Sequence, residues 1–287
     1  MRILAIDIGG TTIKSDVYDE NLKSYNEFKE LKTIANEKEN LILETVVKLI
    51  DEKENIDAVA IASAGVCDSE KGEIIYSGDT IPGYIGTNFY NAINKPCILE
   101  NDVNAAAYGE LAKGNATENS FVLTVGTGIG GAVITNGEIL HGKNFSAGEI
   151  GYIKVNGKDW QHLASADALS KKYKKEKNLE YADGKILFEN YEKKEKEAIK
   201  IIDEFAEDFA SGLTYVSYIL NPNTIVIGGG IMARSEILIP KIKKELEKKM
   251  YSKLFMPDVL PAKLGNDAQR IGATYLMIKK LKINKKF

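Results

Sequence analysis

The chain has 287 residues, 44% of them apolar and 28% charged, with a net charge near −3. That length suggests two domains with a core apiece, and the slight acidity argues against a nucleic-acid partner. No apolar run approaches the roughly 18 residues of a spanning helix, so no membrane partner is expected.

Ile3–Ile6 reads as a short buried strand and Ile13–Tyr18 as a second. Around the turn between them lie Asp7, Gly9, Gly10, Thr11, Thr12 and Lys14. Glycines let backbone approach an anion closely, and threonines add hydroxyl donors. Asp7 is suited to hold Mg²⁺ beside that anion, through water or phosphate. No helix follows and no Gly-Lys-Ser/Thr closes the turn, so it is a candidate phosphate clamp distinct from the P-loop. A plain tight hairpin would also explain the Gly-Gly pair. A strand at 24–31, a helix at 38–53 and a strand at 58–63 follow, the helix marked by Leu41, Val46, Leu49 and Ile50. Residues 65–87 read as loop, followed by a short helix near Asn88–Ile93 and a strand at Cys97–Leu99. A helix then runs from about Val103 to Lys113.

Asn101 and Asp102 sit where that last strand becomes a helix. Capping the helix is one role for Asp102. The other is binding a polyol, with Asp102 taking the proton from an attacking hydroxyl. Beside a phosphate clamp, such a base implies phosphoryl transfer to an alcohol.

The second half repeats the opening. Phe121–Val125 is an apolar strand, followed by a turn with Thr127, Gly128, Gly130 and Gly131, then Ala132–Thr135 and the hairpin signal Asn136-Gly137. After a loop at 142–157, helical segments are expected at 163–176 and 186–220. Ile201, Phe205, Phe209, Leu213, Val216 and Leu220 recur at helical spacing. The charged stretch 171–197 reads as a surface insertion. The strand 224–227 leads into Gly228, Gly229 and Gly230, a turn suited to close ligand approach. A helix (235–250), a strand (258–263) and a helix (267–281) complete the chain. The pattern indicates two α/β domains with mixed sheets, with the ligand site in the cleft between them. Their expected bounds are 1–110, completed by the C-terminal helix 267–287, and 111–266.

Four runs together resemble the ROK family of sugar kinases and repressors. They are Asp-Ile-Gly-Gly-Thr-Thr-Ile-Lys, Glu-Asn-Asp-Val-Asn-Ala-Ala-Ala-Tyr-Gly-Glu, Gly-Thr-Gly-Ile-Gly-Gly and Ala-Gly-Glu-Ile-Gly. The resemblance covers nearly the whole chain. It implies the actin-like ATPase fold, with two ribonuclease-H-like domains around a cleft, and a small-molecule sugar as substrate. It makes Asp102 the general base, Asp7–Lys14 and Thr127–Gly131 the phosphate motifs, and Gly228–Gly230 the adenosine region. Gly65, Asn101, Asp102 and Glu149 match sugar-contacting positions. ATP with Mg²⁺ is the implied phosphoryl donor, and a homodimer is expected. The family's repressors, a non-catalytic alternative, carry a helix-turn-helix ahead of the first motif. Here Asp7 follows Met1 too closely for one. The opening residues are likewise too short for a signal peptide. Cys67 and Cys97 have no close pairing, which fits a cytoplasmic protein.

The departures from the family pattern concern the sugar. Tyr152 stands where many members have histidine, and Gln161 where a second sugar glutamate is expected. An amide at Gln161 offers a donor to an N-acetyl carbonyl, and Tyr152 a donor or an apolar face. The resemblance therefore favours N-acetylmannosamine phosphorylated at its 6-hydroxyl, with glucose or fructose as alternatives. The family's cysteine-rich zinc motif is absent, Gly157–Trp160 standing in its place. His141 and His162 read as ordinary polar residues. Purified protein is expected to hold no stoichiometric zinc; one zinc per chain by elemental analysis would contradict this.

Overall fold

A computed structural model of the protein describes residues 1–36, 39–78 and 81–284. The first half runs β1 (Ile3–Ile8), β2 (Thr12–Tyr18), β3 (Lys29–Lys32), β4 (Ala35–Asn36), β5 (Glu39–Asn40), α1 (Ile42–Asp51), β6 (Ala58–Ser63), β7 (Val66–Asp68), β8 (Glu73–Tyr76), β9 (Cys97–Asn101) and α2 (Asp102–Lys113). The second half opens with β10 (Ser120–Val125), β11 (Ile129–Thr135), β12 (Glu138–Ile139), β13 (Lys154–Val155) and β14 (Lys158–Asp159). It continues with α3 (Trp160–Ala164), α4 (Ala166–Glu176), α5 (Gly184–Glu192), α6 (Lys196–Leu220), β15 (Thr224–Gly228), α7 (Ser235–Lys249), β16 (Asp258–Pro261) and α8 (Ala268–Asn284).

Packing divides the chain into two units. The first holds Met1–Gly114, Ile139–Ala147 and the chain from Asn266 onward; the second holds Asn115–Glu138 and Gly148–Gly265. The segment Ile139–Ala147 thus packs with the first unit, whereas the sequence places it within 111–266. The reason is two bonds: the Ile139 N–H donates to Tyr108 Oη at 3.2 Å, and His141 Nε2 lies 2.8 Å from Glu100 Oε2.

The first unit is built on a sheet of order β3-β2-β1-β6-β9. β1, β2 and β3 pair antiparallel, while β6 and β9 add in parallel. Leu4, Ile6, Ile8, Val59 and Ile61 pack with Val46 and Leu49 of α1 on one face. The other face presents Ile3 and three small residues, Ala58, Ala60 and Ala62, to Ala273, Met277 and Ile278 of α8. Both faces are covered, so β6 is apolar throughout rather than alternating.

The second unit repeats the arrangement as β12-β11-β10-β15-β16, again antiparallel at the first hairpin and parallel thereafter. These are the two mixed sheets of the expected ribonuclease-H-like kind. The long helix α6 supplies Ile201, Phe205, Phe209, Leu213 and Val216 to the core. Trp160 is fully buried against Phe209, ring centroids 5.1 Å apart, and its Nε1–H donates to the Asp208 carbonyl at 3.2 Å. Gly212 makes room for it, since a Cβ there would sit 2.0 Å from the indole.

Several boundaries differ from the sequence reading. The first helix begins at Ile42, where Asn40 Oδ1 accepts the Ile42 N–H; the expected start, Lys38, lies outside the described residues, as do 285–287. The strand expected at 24–31 shrinks to β3. Asp16 instead binds the Ser24 hydroxyl at 2.6 Å and the Glu27 N–H at 3.0 Å, pulling that stretch into a loop. Within 65–87, β7 and β8 form a hairpin, and 88–93 forms turns rather than a helix. The stretch 171–197 is not an insertion: Tyr173, Leu187 and Phe188 are buried in the second core. Charge on its outer face masked that apolar stripe.

In the first unit α2 and α8 cross very closely. A Cβ on Gly272 would lie 1.7 Å from the Ala105 carbonyl oxygen, and one on Gly109 2.3 Å from that of Ala268. Gly272→Ala is therefore expected to destabilise by roughly 1–3 kcal/mol through overpacking, despite alanine's better helix propensity. A urea melt with an unchanged midpoint would refute this.

Candidate functional site

Within the first unit the candidate residues gather at the ends of β1, β6 and β9. Asp7 stands opposite Lys14 in the antiparallel pair of β1 and β2. Burial raises the Asp7 carboxyl above its ordinary pKa, while the Arg270 and Lys14 charges pull it back. Beyond Asp7 the chain turns at Gly9–Thr12, closed by the Gly9 N–H on the Thr12 carbonyl at 2.9 Å. Thr33, which the sequence did not mark, grips this turn. Its hydroxyl donates to the Gly9 carbonyl at 2.7 Å and its N–H to the Thr11 carbonyl at 2.9 Å. Gly10 and Thr11 remain exposed at the tip.

The junction of β9 and α2 is organised by Asn101. Its Oδ1 accepts the N–H groups of Val103 and Asn104 at 2.9 and 3.1 Å, making it the N-cap. Its Nδ2 donates to the Gly65 carbonyl at 2.9 Å and to Asp102 Oδ1 at 3.1 Å. Asp102 is the first residue of α2, half-buried, and its Oδ1 also accepts the Val103 N–H at 2.9 Å. A carboxylate there sits in the favourable field of the helix N-terminus. Gly65 is held at φ +97°, and a Cβ would lie 2.6 Å from the Tyr76 carbonyl oxygen. Behind it, the Ser63 hydroxyl and Tyr84 Oη share a 2.7 Å hydrogen bond. The structure thus joins Gly65, Asn101 and Asp102 directly.

In the second unit the equivalent turn is Gly126–Gly128, with Thr127 exposed at its tip. The Gly126 N–H donates to the Gly128 carbonyl at 3.0 Å, and the Ala166 N–H to the Gly126 carbonyl at 3.0 Å. Gly130 and Gly131 lie inside β11. The missing side chain of Gly131 has a packing reason: a Cβ would meet the Phe121 ring at 2.5 Å and the Gly148 carbonyl oxygen at 2.7 Å. Gln161 rests its Oε1 against this turn, 2.7 Å from where a Cβ of Gly128 would stand. Glu149 precedes the short 3₁₀ turn Ile150–Tyr152. It keeps part of its surface open, yet burial of its carboxyl raises its pKa. Tyr152 is 59% exposed.

Gly228 ends β15, and Gly229 turns the chain at φ +93°, where a Cβ would strike the Val125 carbonyl oxygen at 2.3 Å. Gly230 opens onto a cavity of about 420 Å³ lined by Leu169, Phe188, Ile231 and Arg234. Arg234 lies over the Phe188 ring at 5.3 Å and is held by Glu192 and Glu236. A largely apolar cavity of this size, with Asp183, Lys185 and Arg234 among its lining, fits a nucleoside. Among the described residues no three His, Cys, Asp or Glu groups gather to hold a metal. Mg²⁺ tolerates that, since it needs only one or two carboxylates besides phosphate and water, and Asp7 is the fitting ligand. No helix among the described residues is long and apolar enough to cross a membrane.

The ROK family model matches residues 3–280. An uncharacterized Clostridium perfringens protein is 39% identical over 94% of this chain and 95% of its own length. The glucokinase of Thermotoga maritima is 29% identical over 96% of this chain and 97% of its own length. Among solved structures, a candidate N-acetylmannosamine kinase from Listeria monocytogenes is similar at 26% identity, with a TM-score of 0.87 over 98% of this chain and 100% of its own.

Asn101→Ala is expected to cost about 0.5–2 kcal/mol of stability through loss of the cap. Asn101→Ser keeps a cap acceptor and loses the amide bonds to Gly65 and Asp102 without setting a charge against them, so it should cost less. Equal urea midpoints for the two variants would refute the cap as the larger contribution.

Proposed function

This chain belongs to the ROK family, and from that premise we propose that it is an ATP-dependent sugar kinase with Asp102 as general base. The observation that carries the reading is the junction of β9 and α2. There a half-buried carboxylate is fixed by its own helix and by Asn101, next to the Gly65 turn. Asp102 Oδ1 accepts from the Asn101 amide and the Val103 N–H, which fixes the orientation of the carboxylate.

Asn101, Gly65 and Glu149 bind and orient the sugar, and Asp102 accepts the proton of the 6-hydroxyl as it attacks. The Gly9–Thr12 and Gly126–Gly128 turns present N–H and hydroxyl donors to the nucleotide phosphates. The cavity beside Gly230 takes the nucleoside. Asp7 and Lys14 supply one negative and one positive charge near the phosphates. Mg²⁺, when bound, neutralises charge on the transferring phosphoryl group.

For the sugar we favour N-acetylmannosamine. The Listeria structure supports this choice and the Thermotoga glucokinase does not. Gln161 and Tyr152 in place of glutamate and histidine favour an amide-bearing sugar. A Gln161 donor covered by the bound sugar and left unpaired by glucose would cost about 1–3 kcal/mol, enough to separate the two sugars ten-fold.

A coupled ADP-release assay with glucose, mannose, fructose, N-acetylglucosamine and N-acetylmannosamine tests the substrate. The largest kcat/KM is expected for N-acetylmannosamine, and a larger value for glucose would reverse the choice. Asp102→Asn preserves shape and removes the base, so kcat should fall about 10²–10⁴-fold. Near-full kcat in this variant would remove Asp102 from the role.

A further inference from the structure

We infer that His141 is a positioning residue for Asp102, acting through Glu100 and Asn101; the inference rests on the kinase reading above. Glu100 is 1% exposed, one residue before Asn101. A carboxylate that deep is destabilising unless its lone pairs meet donors. Its Oε1 accepts the Asn101 N–H at 3.0 Å and Asn104 Nδ2 at 2.9 Å. Its Oε2 faces His141 Nε2 at 2.8 Å, with the ring nitrogen donating. Asn101 in turn holds Gly65 and Asp102. One hydrogen-bonded series therefore runs from the imidazole to the carboxylate assigned as base.

The imidazole is itself placed. The Ala147 N–H donates to the His141 carbonyl at 3.1 Å, closing the loop 141–147, and the Phe145 ring packs edge-on at 5.8 Å. The loop is also tied to α2 by the Ile139 N–H on Tyr108 Oη. Removing the ring therefore leaves the loop's backbone anchors intact. What is lost is a donor to a buried carboxylate, which must then seek water or rotate. Rotation of Glu100 breaks its bonds to the Asn101 N–H and the Asn104 amide, the first turn on which Asp102 sits. Small displacements of a catalytic group cost rate steeply. His162, 68% exposed at its side chain and beside Asp159, lies outside this series and is a natural control.

The test compares His141→Ala, His141→Gln and His162→Ala by amide hydrogen exchange, steady-state kinetics and binding of a non-hydrolysable ATP analogue. Glutamine keeps a donor near the place of Nε2. Expected for His141→Ala are faster exchange at residues 101–104 and a fall in kcat/KM for the sugar of ~10–100-fold. Analogue affinity should be unchanged, and His141→Gln should restore most of both losses. Faster exchange with unchanged kcat/KM would reduce His141 to a structural role and overturn the proposal. So would unchanged exchange, or equal loss in His141→Gln. If the wild-type protein turns over no sugar in the panel, the kinase reading fails by itself. Exchange at residues 101–104 then still decides whether His141 holds the junction.

Discussion

One amide side chain carries the geometry of the first unit's site. Asn101 ends β9, caps α2, reaches across to the Gly65 carbonyl and steadies Asp102. A strand that runs directly into a helix leaves the first helical N–H groups without backbone partners. Asn101 answers that shortage with its oxygen, which frees its nitrogen for the neighbouring strand end. Aspartate or serine would cap as well but would not bridge with a donor of the same reach. The chemistry assigned to Asp102 is thus inseparable from a local problem of helix initiation.

The surrounding fold makes that junction rigid by closeness rather than bulk. Three alanines on β6 and two glycines at the α2–α8 crossing bring the helices down onto the sheet and onto each other. Close-packed backbones leave little room for α2 to shift. The second unit uses the same sheet order but fills its core differently, with α6 and large rings such as Trp160, Phe205 and Phe209. Two copies of one topology therefore reach their cores by opposite means.

Much of this was legible in the chain. The two strand–turn–strand hairpins, the Asn101-Asp102 junction and the Gly228–Gly230 turn are local signals. Each announces itself within a few residues through glycine, capping chemistry or alternation. What escaped was long-range. Thr33 grips the Gly9–Thr12 turn from beyond β3, and His141 meets Glu100 from beyond the second hairpin. Nothing near Thr33 or His141 in sequence distinguishes them from ordinary polar residues, because their partners are assigned only when the sheet closes. Gly131 shows the converse: its motif invited a phosphate role, while its position in β11 also makes room for the Phe121 ring and the Gly148 backbone. The helical character of 171–197 was expected, but its burial was hidden because charge on the solvent face outnumbers the apolar residues on the other.

The chain's one tryptophan lies wholly inside the second unit, wedged between Phe209 and the bare backbone of Gly212. Indole emission is therefore a spectroscopic label for that unit alone, while the tyrosines are divided between both units and report on the chain as a whole. Coincidence of the two signals during denaturation would mean that the halves melt as one cooperative block. Divergence would let the stability of the second unit be read apart from that of the whole chain, from the native sequence, without adding a dye.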